Sequence, residues 1–258
     1  MHKKYKSDLA IVRNDRLSGD FFELVLKVDD GAEVRPGQFV EIRVQGTDKA
    51  LLRRPISIHD FDPEGGTMSL LIHIVGRGTK CLSSVREGDK LDVVYPLGNG
   101  FDLEKAGKRP LLVGGGVGVA PLFLLAKELI KSGAEPVFLL GAKSEKGLIK
   151  LSEYEKICRV DIATEDGSCG VKGFVTDHHD LSAEGLRVFT SVLQCGPTPM
   201  MKAVASKAKA AGVECYASLE NMMACGFGVC LCCVTDTVEG MRRVCADGPV
   251  FNVNDLKW

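Results

Sequence analysis

The cysteines constrain this chain more than any other feature. Five of its ten cysteines lie between residues 225 and 245, and four of them follow the pattern C-x4-C-x2-C, eleven intervening residues, then C. This is a known spacing of [2Fe–2S] sites. Four thiolates must converge on two adjacent iron atoms, three from one tight loop and the fourth from a returning strand. The spacing predicts four ligands and leaves Cys232 surplus: Cys225, Cys230, Cys233 and Cys245.

Two glycines support this interpretation. Gly226 and Gly228 would let the loop fold back and offer backbone N–H groups to the inorganic sulfides. Zinc is the alternative, and it usually takes two C-x2-C arms, of which only one is present. An iron–sulfur centre is therefore favoured over a zinc-stabilised interaction module.

Charge and hydropathy exclude several classes of partner. Lys plus Arg (33) nearly cancels Asp plus Glu (34), so no overall field attracts nucleic acid or an anionic membrane surface. The longest uncharged stretch, residues 110–126, holds four glycines and is a poor membrane span. The first nine residues lack the apolar core of a secretory signal, and thiols clustered in this way suit a reducing compartment. We expect a cytoplasmic protein.

The first part of the chain predicts a barrel. Apolar residues recur with a period of two, as where Val40, Ile42 and Val44 alternate with Glu41 and Arg43. Such segments are half-buried strands, and turn signals separate them. Several short strands at this spacing indicate a small antiparallel barrel over residues 1–102.

The next part, residues 103–214, changes to continuous apolar runs that alternate with helical segments. Strands are predicted at 111–113, 137–140, 160–163 and 192–194, and helices at 122–131 and 199–211. This alternation indicates a parallel sheet covered on both faces. The remaining tail, residues 215–258, is too small to hold a core of its own, so a metal centre would organise it.

Two turns of the α/β part suit a dinucleotide. Between a strand and a helix, backbone N–H groups and the helix dipole can hold a pyrophosphate, although the final glycine of G-x-G-x-x-G is absent and a plain βα connection is the alternative. A second turn at the same sheet edge, 195–197, would clasp the same ligand. Cys195 alone would more often be a buried small hydrophobe. The candidates are Gly114, Gly115, Gly116, Gly118, Cys195, Gly196 and Pro197.

The barrel carries a second candidate phosphate site. Arg53 and Arg54 stand beside the proline-stiffened strand that Pro55 begins, where an exposed basic pair is ordinarily a solvated surface feature. Further on, glycines end a strand, and a short helix is predicted to start near Thr79. His73 in that strand is more typically a strand residue with one face exposed to solvent than a catalytic base.

Together these segments resemble the ferredoxin reductase superfamily and, within it, the electron-transfer subunits of NAD-dependent bacterial dihydroorotate dehydrogenases. The resemblance covers essentially the whole chain. Five segments carry it: Arg54-Pro55-Ile56-Ser57, Pro96 to Phe101, Gly114 to Pro121, Cys195 to Met200 and Val244 to Phe251.

The resemblance implies an antiparallel FAD-binding barrel, a parallel-sheet NAD-binding domain and a small C-terminal [2Fe–2S] module. It assigns the FAD to nine residues: Arg54, Pro55, Ile56, Ser57, Leu71, Ile72, His73, Gly78 and Thr79. It gives the two turns to NAD and the four cysteines to the cluster. Many relatives carry an aromatic residue at Ile56 and a tyrosine at His73, so aliphatic packing replaces ring stacking at the first position.

The implied activity is electron transfer. Electrons from the FMN of a separate catalytic subunit, which oxidises dihydroorotate in pyrimidine (UMP) synthesis, would pass through the cluster and FAD to NAD+. No acid–base residue here can be assigned to that oxidation. A heterotetramer of two such chains and two catalytic subunits is expected, with the cluster near their contact.

The alternative enzyme is a freestanding NAD(P)H-dependent ferredoxin or sulfur-type reductase subunit that uses the same cofactors in the opposite direction. Lys143 and Ser144 would then bind a 2′-phosphate and favour NADP, although an exposed loop is the more ordinary interpretation of these residues.

Overall fold

The computed structural model describes residues 3–44 and 51–258; residues 1 and 2, the start of the segment searched for a signal, lie outside it. A closed six-stranded barrel forms first. Its strands are β1 (Tyr5–Arg16), β2 (Phe21–Lys27), β3 (Phe39–Ile42), β4 (Arg54–Asp62), β5 (Thr67–His73) and β6 (Lys90–Leu97). Their order around the barrel is β1, β2, β5, β4, β3, β6, and every neighbouring pair is antiparallel. The predicted barrel is confirmed.

One helix lies between the last two barrel strands. The short helix predicted to start near Thr79 is confirmed as α1 (Arg77–Leu82), which begins two residues earlier. Thr79 lies in its first turn, where the hydroxyl accepts hydrogen bonds from the N–H groups of Val75 (3.0 Å) and Gly76 (3.3 Å). The side chain therefore satisfies free donors at the helix start from inside the helix.

Strand β3 departs from the predicted alternation. Val40 and Ile42 point into the barrel and are fully buried, and Arg43 is exposed, as expected. Glu41, predicted to face solvent, is also fully buried. The reason is that the cysteine-rich tail covers this outer face, with Gly226 against the Glu41 side chain. A strand covered on both faces cannot be recognised from its own alternation.

The second unit is a seven-stranded sheet. Its strands are β7 (Pro110–Gly115), β8 (Val137–Ala142), β9 (Arg159–Thr164), β10 (Val171–Lys172), β11 (Ser191–Cys195), β12 (Glu214–Ser218) and β15 (Val250–Asn252). They lie in the order β10, β9, β8, β7, β11, β12, β15, and all neighbours are parallel except the last pair. The predicted parallel sheet is confirmed.

Four further helices surround this sheet: α2 (Leu103–Ala106), α3 (Ala120–Lys131), α4 (Leu151–Glu155) and α5 (Thr198–Ala211). Helices α3 and α5 confirm the two predicted helices, and each extends slightly further toward its N-terminus. Within the described part of the chain, no helix is both long and apolar enough to cross a membrane.

The C-terminal tail contains one hairpin, β13 (Val234–Thr237) and β14 (Gly240–Arg243), and then β15, which pairs antiparallel with β12. Its buried residues Cys233, Val244 and Cys245 share one apolar core with Leu97 of the barrel and with strands of the large sheet. The tail is therefore packed against both neighbouring units and does not rely on a metal centre alone.

Candidate functional site: cysteine loop and nucleotide cleft

The four predicted cluster ligands converge at one place. Hairpin β13–β14 returns the chain so that Cys245 lies beside Cys233, and the N–H of Cys245 donates to the Cys233 sulfur at 3.4 Å. Cys233 and Cys245 are buried, whereas Cys225 is half-buried and Cys230 is exposed. The fourth cysteine thus arrives from a returning strand, as the spacing predicts.

The sulfurs form two pairs. Burial raises the pKa of Cys225, but hydrogen bonds from backbone N–H groups of the loop and from the Cys230 thiol outweigh it and lower the pKa to about 6. One of those donors is the N–H of Phe227, at 3.3 Å. Burial and the neighbouring Cys233 thiol raise the pKa of Cys245 to about 12. The loop therefore stabilises a thiolate at its outer pair and holds a second pair deeper inside.

Paired sulfurs suit two metals better than one. A tetrahedral zinc site holds its four sulfurs roughly 3.8 Å apart. In the described residues, three candidate ligand atoms lie within 4.8 Å of one another only at His178, His179 and Asp180, and not at the cysteines. Two pairs are what a two-iron cluster requires. The donor set present here therefore fits a [2Fe–2S] centre.

Close packing against the barrel fixes the path of the loop. Gly226 has a φ of +72°, and a methyl group there would lie 3.0 Å from Glu41 and from Leu97. Cys232 points elsewhere, with its sulfur 3.6 Å from the Met222 carbonyl. The structure thus separates Cys232 from the four predicted ligands.

A cleft of about 870 Å³ lies where the barrel meets the large sheet. Phe21 and His73 of the barrel form one wall, and the strand ends of the sheet form the others. Cavities of this size are typical of cofactor sites. The cleft includes most of the residues predicted for the nicotinamide nucleotide: Gly115, Gly116, Gly118, Gly196 and Pro197.

The two predicted turns pack directly on each other. A methyl group at Gly118 would lie 2.5 Å from the carbonyl oxygen of Cys195, and one at Gly115 would lie 2.5 Å from the Met200 sulfur. Backbone therefore approaches backbone at this edge of the sheet, as a residue without a side chain at Gly118 allows. The sequence predicted both turns at one edge of the sheet, and the structure places them side by side there.

Two of the predicted residues, Gly114 and Cys195, lie behind the cleft and do not line it. Cys195 is fully buried, and this burial, with the charge of Glu220, raises the pKa of its thiol well above the usual value. Glu220 itself lines the cleft, and desolvation there raises its pKa. The Cys195 thiol is therefore neutral and set back from the cleft, whereas Glu220 is a titratable group that a ligand would meet.

The two arginines of the barrel have different surroundings. Arg53 is engaged within the barrel, where its guanidinium donates to both carboxylate oxygens of Asp92 at 2.8 and 2.7 Å. Arg54 instead lies across Gly78, so closely that a methyl group there would be 2.5 Å from its Nε. Arg54, Gly78 and the first turn of α1 thus form one basic surface, and this arrangement fits a flavin diphosphate.

The remaining predicted flavin residues differ in what they can offer. Leu71 and Ile72 bury their side chains in different apolar clusters, so only their backbone groups remain for a ligand. His73 faces the cleft and stacks on Phe21, with ring centroids 4.3 Å apart and planes 17° from parallel. Half-buried Ile56 packs on the barrel core.

Sequence reasoning missed four residues of these sites. No sequence pattern marks Phe21 as a site residue, and the register of β2 and β5 places it opposite His73. Glu41 reaches the cysteine loop only because the tail folds onto β3. Glu165 follows β9 and Glu220 follows β12, and both line the cleft. An acidic residue just beyond a buried parallel strand was the available signal for the last two.

Comparison with protein families divides the chain into three segments. Residues 8–101 match the oxidoreductase FAD-binding domain, and residues 112–206 match the oxidoreductase NAD-binding domain. Residues 220–257 match the iron-sulfur cluster binding domain of dihydroorotate dehydrogenase B. The chain is thus an oxidoreductase with binding domains for FAD, NAD and an iron–sulfur cluster.

Individual relatives agree with this division. The chain is 40% identical to the dihydroorotate dehydrogenase B (NAD(+)) electron transfer subunit of Shouchella clausii, over 98% of this chain and 99% of that protein. It is 40% identical to the subunit of the same name from Fusobacterium nucleatum, over 97% and 98%. Among solved structures, an NADH-dependent reduced ferredoxin-NADP oxidoreductase superposes with a TM-score of 0.87 and 34% identity, covering 98% of this chain and 90% of that one. The chain belongs to the family of dihydroorotate dehydrogenase B electron transfer subunits.

Proposed function

We propose that this chain carries electrons between the FMN of a separate dihydroorotate-oxidising subunit and NAD+, through a [2Fe–2S] cluster and FAD, in pyrimidine synthesis. The position of the barrel is the main observation that supports this proposal. The barrel contacts the cysteine loop at Glu41 and also supplies Phe21 and His73 to the nucleotide cleft. A flavin held by the barrel would therefore lie between a one-electron centre and a nicotinamide.

Each group has its own residues in this proposal. Cys225, Cys230, Cys233 and Cys245 hold the cluster, and Arg54 with Gly78 and Thr79 holds the flavin diphosphate. The barrel strands from Pro55 to Ser57 and from Leu71 to His73 lie along the flavin, and the two turns at Gly114–Gly118 and Cys195–Pro197 hold NAD. A bound flavin supplies the link, since it exchanges hydride with nicotinamide and single electrons with a cluster.

The walls of the cleft surround the nicotinamide end of the bound nucleotide in this proposal. Phe21 and His73 form a stacked aromatic wall there, so they exclude water from one side of the bound nucleotide.

Lys143 and Glu165 both line the cleft beyond the glycine turn. A carboxylate accepts hydrogen bonds from a ribose 2′-hydroxyl and repels a 2′-phosphate. Glu165 therefore favours NAD over NADP.

Docking of a catalytic partner is supported by the surface around the cysteine loop. Four apolar side chains there are exposed: Met222 (83%), Phe227 (46%), Val229 (81%) and Leu231 (59%). Apolar residues grouped on a surface mark interaction sites. Electron transfer needs a short distance, so a partner seated on this surface would bring its FMN near the cluster. We propose an assembly of two chains with two catalytic subunits.

Substitutions in this surface test the docking. Leu231→Glu should weaken co-purification with the catalytic subunit while the iron and sulfide content stays unchanged. Val188→Glu, at another exposed apolar position (53%), is the matched control and should leave the complex intact. Equal loss of the complex in both variants, or in neither, would show that the partner docks elsewhere. The mass of the purified complex tests the two-plus-two stoichiometry.

Two further expectations belong to this proposal. None of the ten cysteines forms a disulfide, which supports a cytoplasmic location. We also propose three domains, 1–102, 103–214 and 215–258. Strand β12 begins at Glu214 and pairs with both β11 and β15, so the second boundary would lie at the start of an inner strand of the large sheet.

A second candidate function has one specific observation in its favour. The superposition over nearly the whole chain with an NADH-dependent reduced ferredoxin-NADP oxidoreductase supports a ferredoxin-linked reductase subunit that uses the same cofactors. The two functions differ in the electron donor. Under the second, NADH would reduce ferredoxin through this chain in the absence of the catalytic subunit, and under the first it would not.

A further inference from the structure

A group of metal-ligand side chains lies outside the sites described so far. His178, His179 and Asp180 follow directly after the segment from Gly173 to Thr176, which lines the nucleotide cleft. The side chains of His178 and Asp180 are each 5% exposed, whereas that of His179 is 69% exposed. The group is therefore buried on one side and open to solvent on the other.

The three side chains point their ligand atoms at one another. One nitrogen of each imidazole and one carboxylate oxygen all lie within 4.8 Å of one another. Nε2 of His179 is 2.9 Å from Oδ1 of Asp180, and Nδ1 of His178 is 3.5 Å from Oδ2. Two imidazole nitrogens with a carboxylate oxygen are a donor set that zinc and other divalent transition metals accept.

A second observation points to a missing cation. Oδ2 of Asp180 is buried and has no hydrogen-bond partner. Its nearest guanidinium, that of Arg159, is 3.9 Å away and pairs at 2.8 Å with Asp161. The Asp161 carboxyl also adjoins Asp180. A buried acid beside a second acid, with one oxygen unpaired, lacks positive charge.

A simple ion pair does not account for this arrangement. Protonated His179 would satisfy Oδ1 of Asp180 and leave Oδ2 as it is. His178 cannot donate from Nδ1, because this nitrogen accepts the N–H of Asp180 at 3.2 Å. A cation placed among the three side chains would satisfy Oδ2 and would exchange that long hydrogen bond for a coordinate bond.

We propose that His178, His179 and Asp180 form a binding site for a divalent transition metal ion of the zinc class, with water in the fourth position. The exposed ring of His179 is the entry side. The bound ion would hold in place the chain segment that follows the cleft wall. The guanidinium of Arg159 is the positive charge that would compete with the ion for the Asp180 carboxylate.

Isothermal titration of Zn²⁺ into the protein loaded with FAD and its cluster tests the site. Iron and sulfide are assayed before and after, so that zinc taken up by the cysteines is recognised. The wild-type protein should bind one Zn²⁺ with intact iron content. His179→Gln, whose amide can still donate to Asp180, should weaken binding by more than about tenfold. Asp177→Asn is the control and should bind normally, because its oxygen still accepts the Phe174 N–H.

A second variant keeps the test decisive if His179→Gln proves unstable. Arg159→Gln removes the competing charge and should tighten Zn²⁺ binding. Three results would each overturn the proposal: no Zn²⁺ binding to the wild type, equal binding by His179→Gln and the wild type, or weaker binding after Arg159→Gln.

Discussion

Glu41 gives the prediction that follows most directly from the fold. This side chain is fully buried between strand β3 and the cysteine loop, and neither of its carboxyl oxygens has a hydrogen-bond partner. Burial raises its pKa from 4.5 to about 7, against the opposing charges of Arg53 and Arg54. Glu41→Gln replaces the carboxyl with a neutral group of the same shape and so removes this titration.

The size of the effect on folding stability follows from the pKa shift of Glu41. As pH rises above 4.5, the unfolded carboxyl ionises while the folded one stays protonated, so the folded state loses stability until pH passes about 7. A shift of about 2.5 units corresponds to roughly 3 kcal/mol. For a chain of this length, such a change in the free energy of unfolding shifts the melting temperature by about 6 to 12 °C. The Gln variant should therefore gain most of this difference over the wild type between pH 5 and pH 8.

Calorimetric melting of both proteins, loaded with flavin and cluster, measures the difference at each pH. Glu23→Gln is a control of opposite sign. Burial raises the pKa of Glu23, but its ion pair with Lys150 (2.7 Å) outweighs this and lowers it. That variant should lose stability at neutral pH and recover relative to the wild type as pH falls. A Glu41→Gln difference that is the same at pH 5 and pH 8 would refute the reasoning.

Three further variants test the sites. Gly118→Ala would place a methyl group 2.5 Å from a backbone carbonyl of the facing turn, so NADH affinity measured by titration should fall about tenfold or more, whereas Gly76→Ala meets no atom within 4 Å and should bind normally. Cys233→Ser should lose iron and sulfide, while Cys232→Ser keeps both; equal iron in the two would remove Cys233 from the ligand set. Glu165→Gln should raise kcat/KM for NADPH relative to NADH, and an unchanged ratio would mean that Glu165 does not face the ribose.

Local patterns were enough to predict the fold. The change from a period of two to continuous apolar runs separates barrel from sheet, and the runs at 137–140 and 192–194 lie within β8 and β11. The cysteine spacing likewise predicts a loop and a returning strand, which the hairpin β13–β14 provides.

Long-range packing decided what could not be predicted. Glu41 alternates like a solvent-facing residue, and only the folded tail buries it. Cys195 belongs to a predicted nucleotide turn, yet the facing glycine turn closes over it. Phe21 and His73 are far apart in sequence and meet through the register of β2 and β5. Each of these depends on which elements become neighbours, and no local pattern carries that information.

We propose that this chain is the electron-carrying half of a two-subunit enzyme. The most direct test is the rate of NAD+ reduction by dihydroorotate under anaerobic conditions, measured with each subunit alone and with both. We expect NADH to form only when both subunits are present, and NADH formation to be lost when the Cys233→Ser chain replaces the wild type. NADH formation by this chain alone, or by the catalytic subunit without it, would contradict the account.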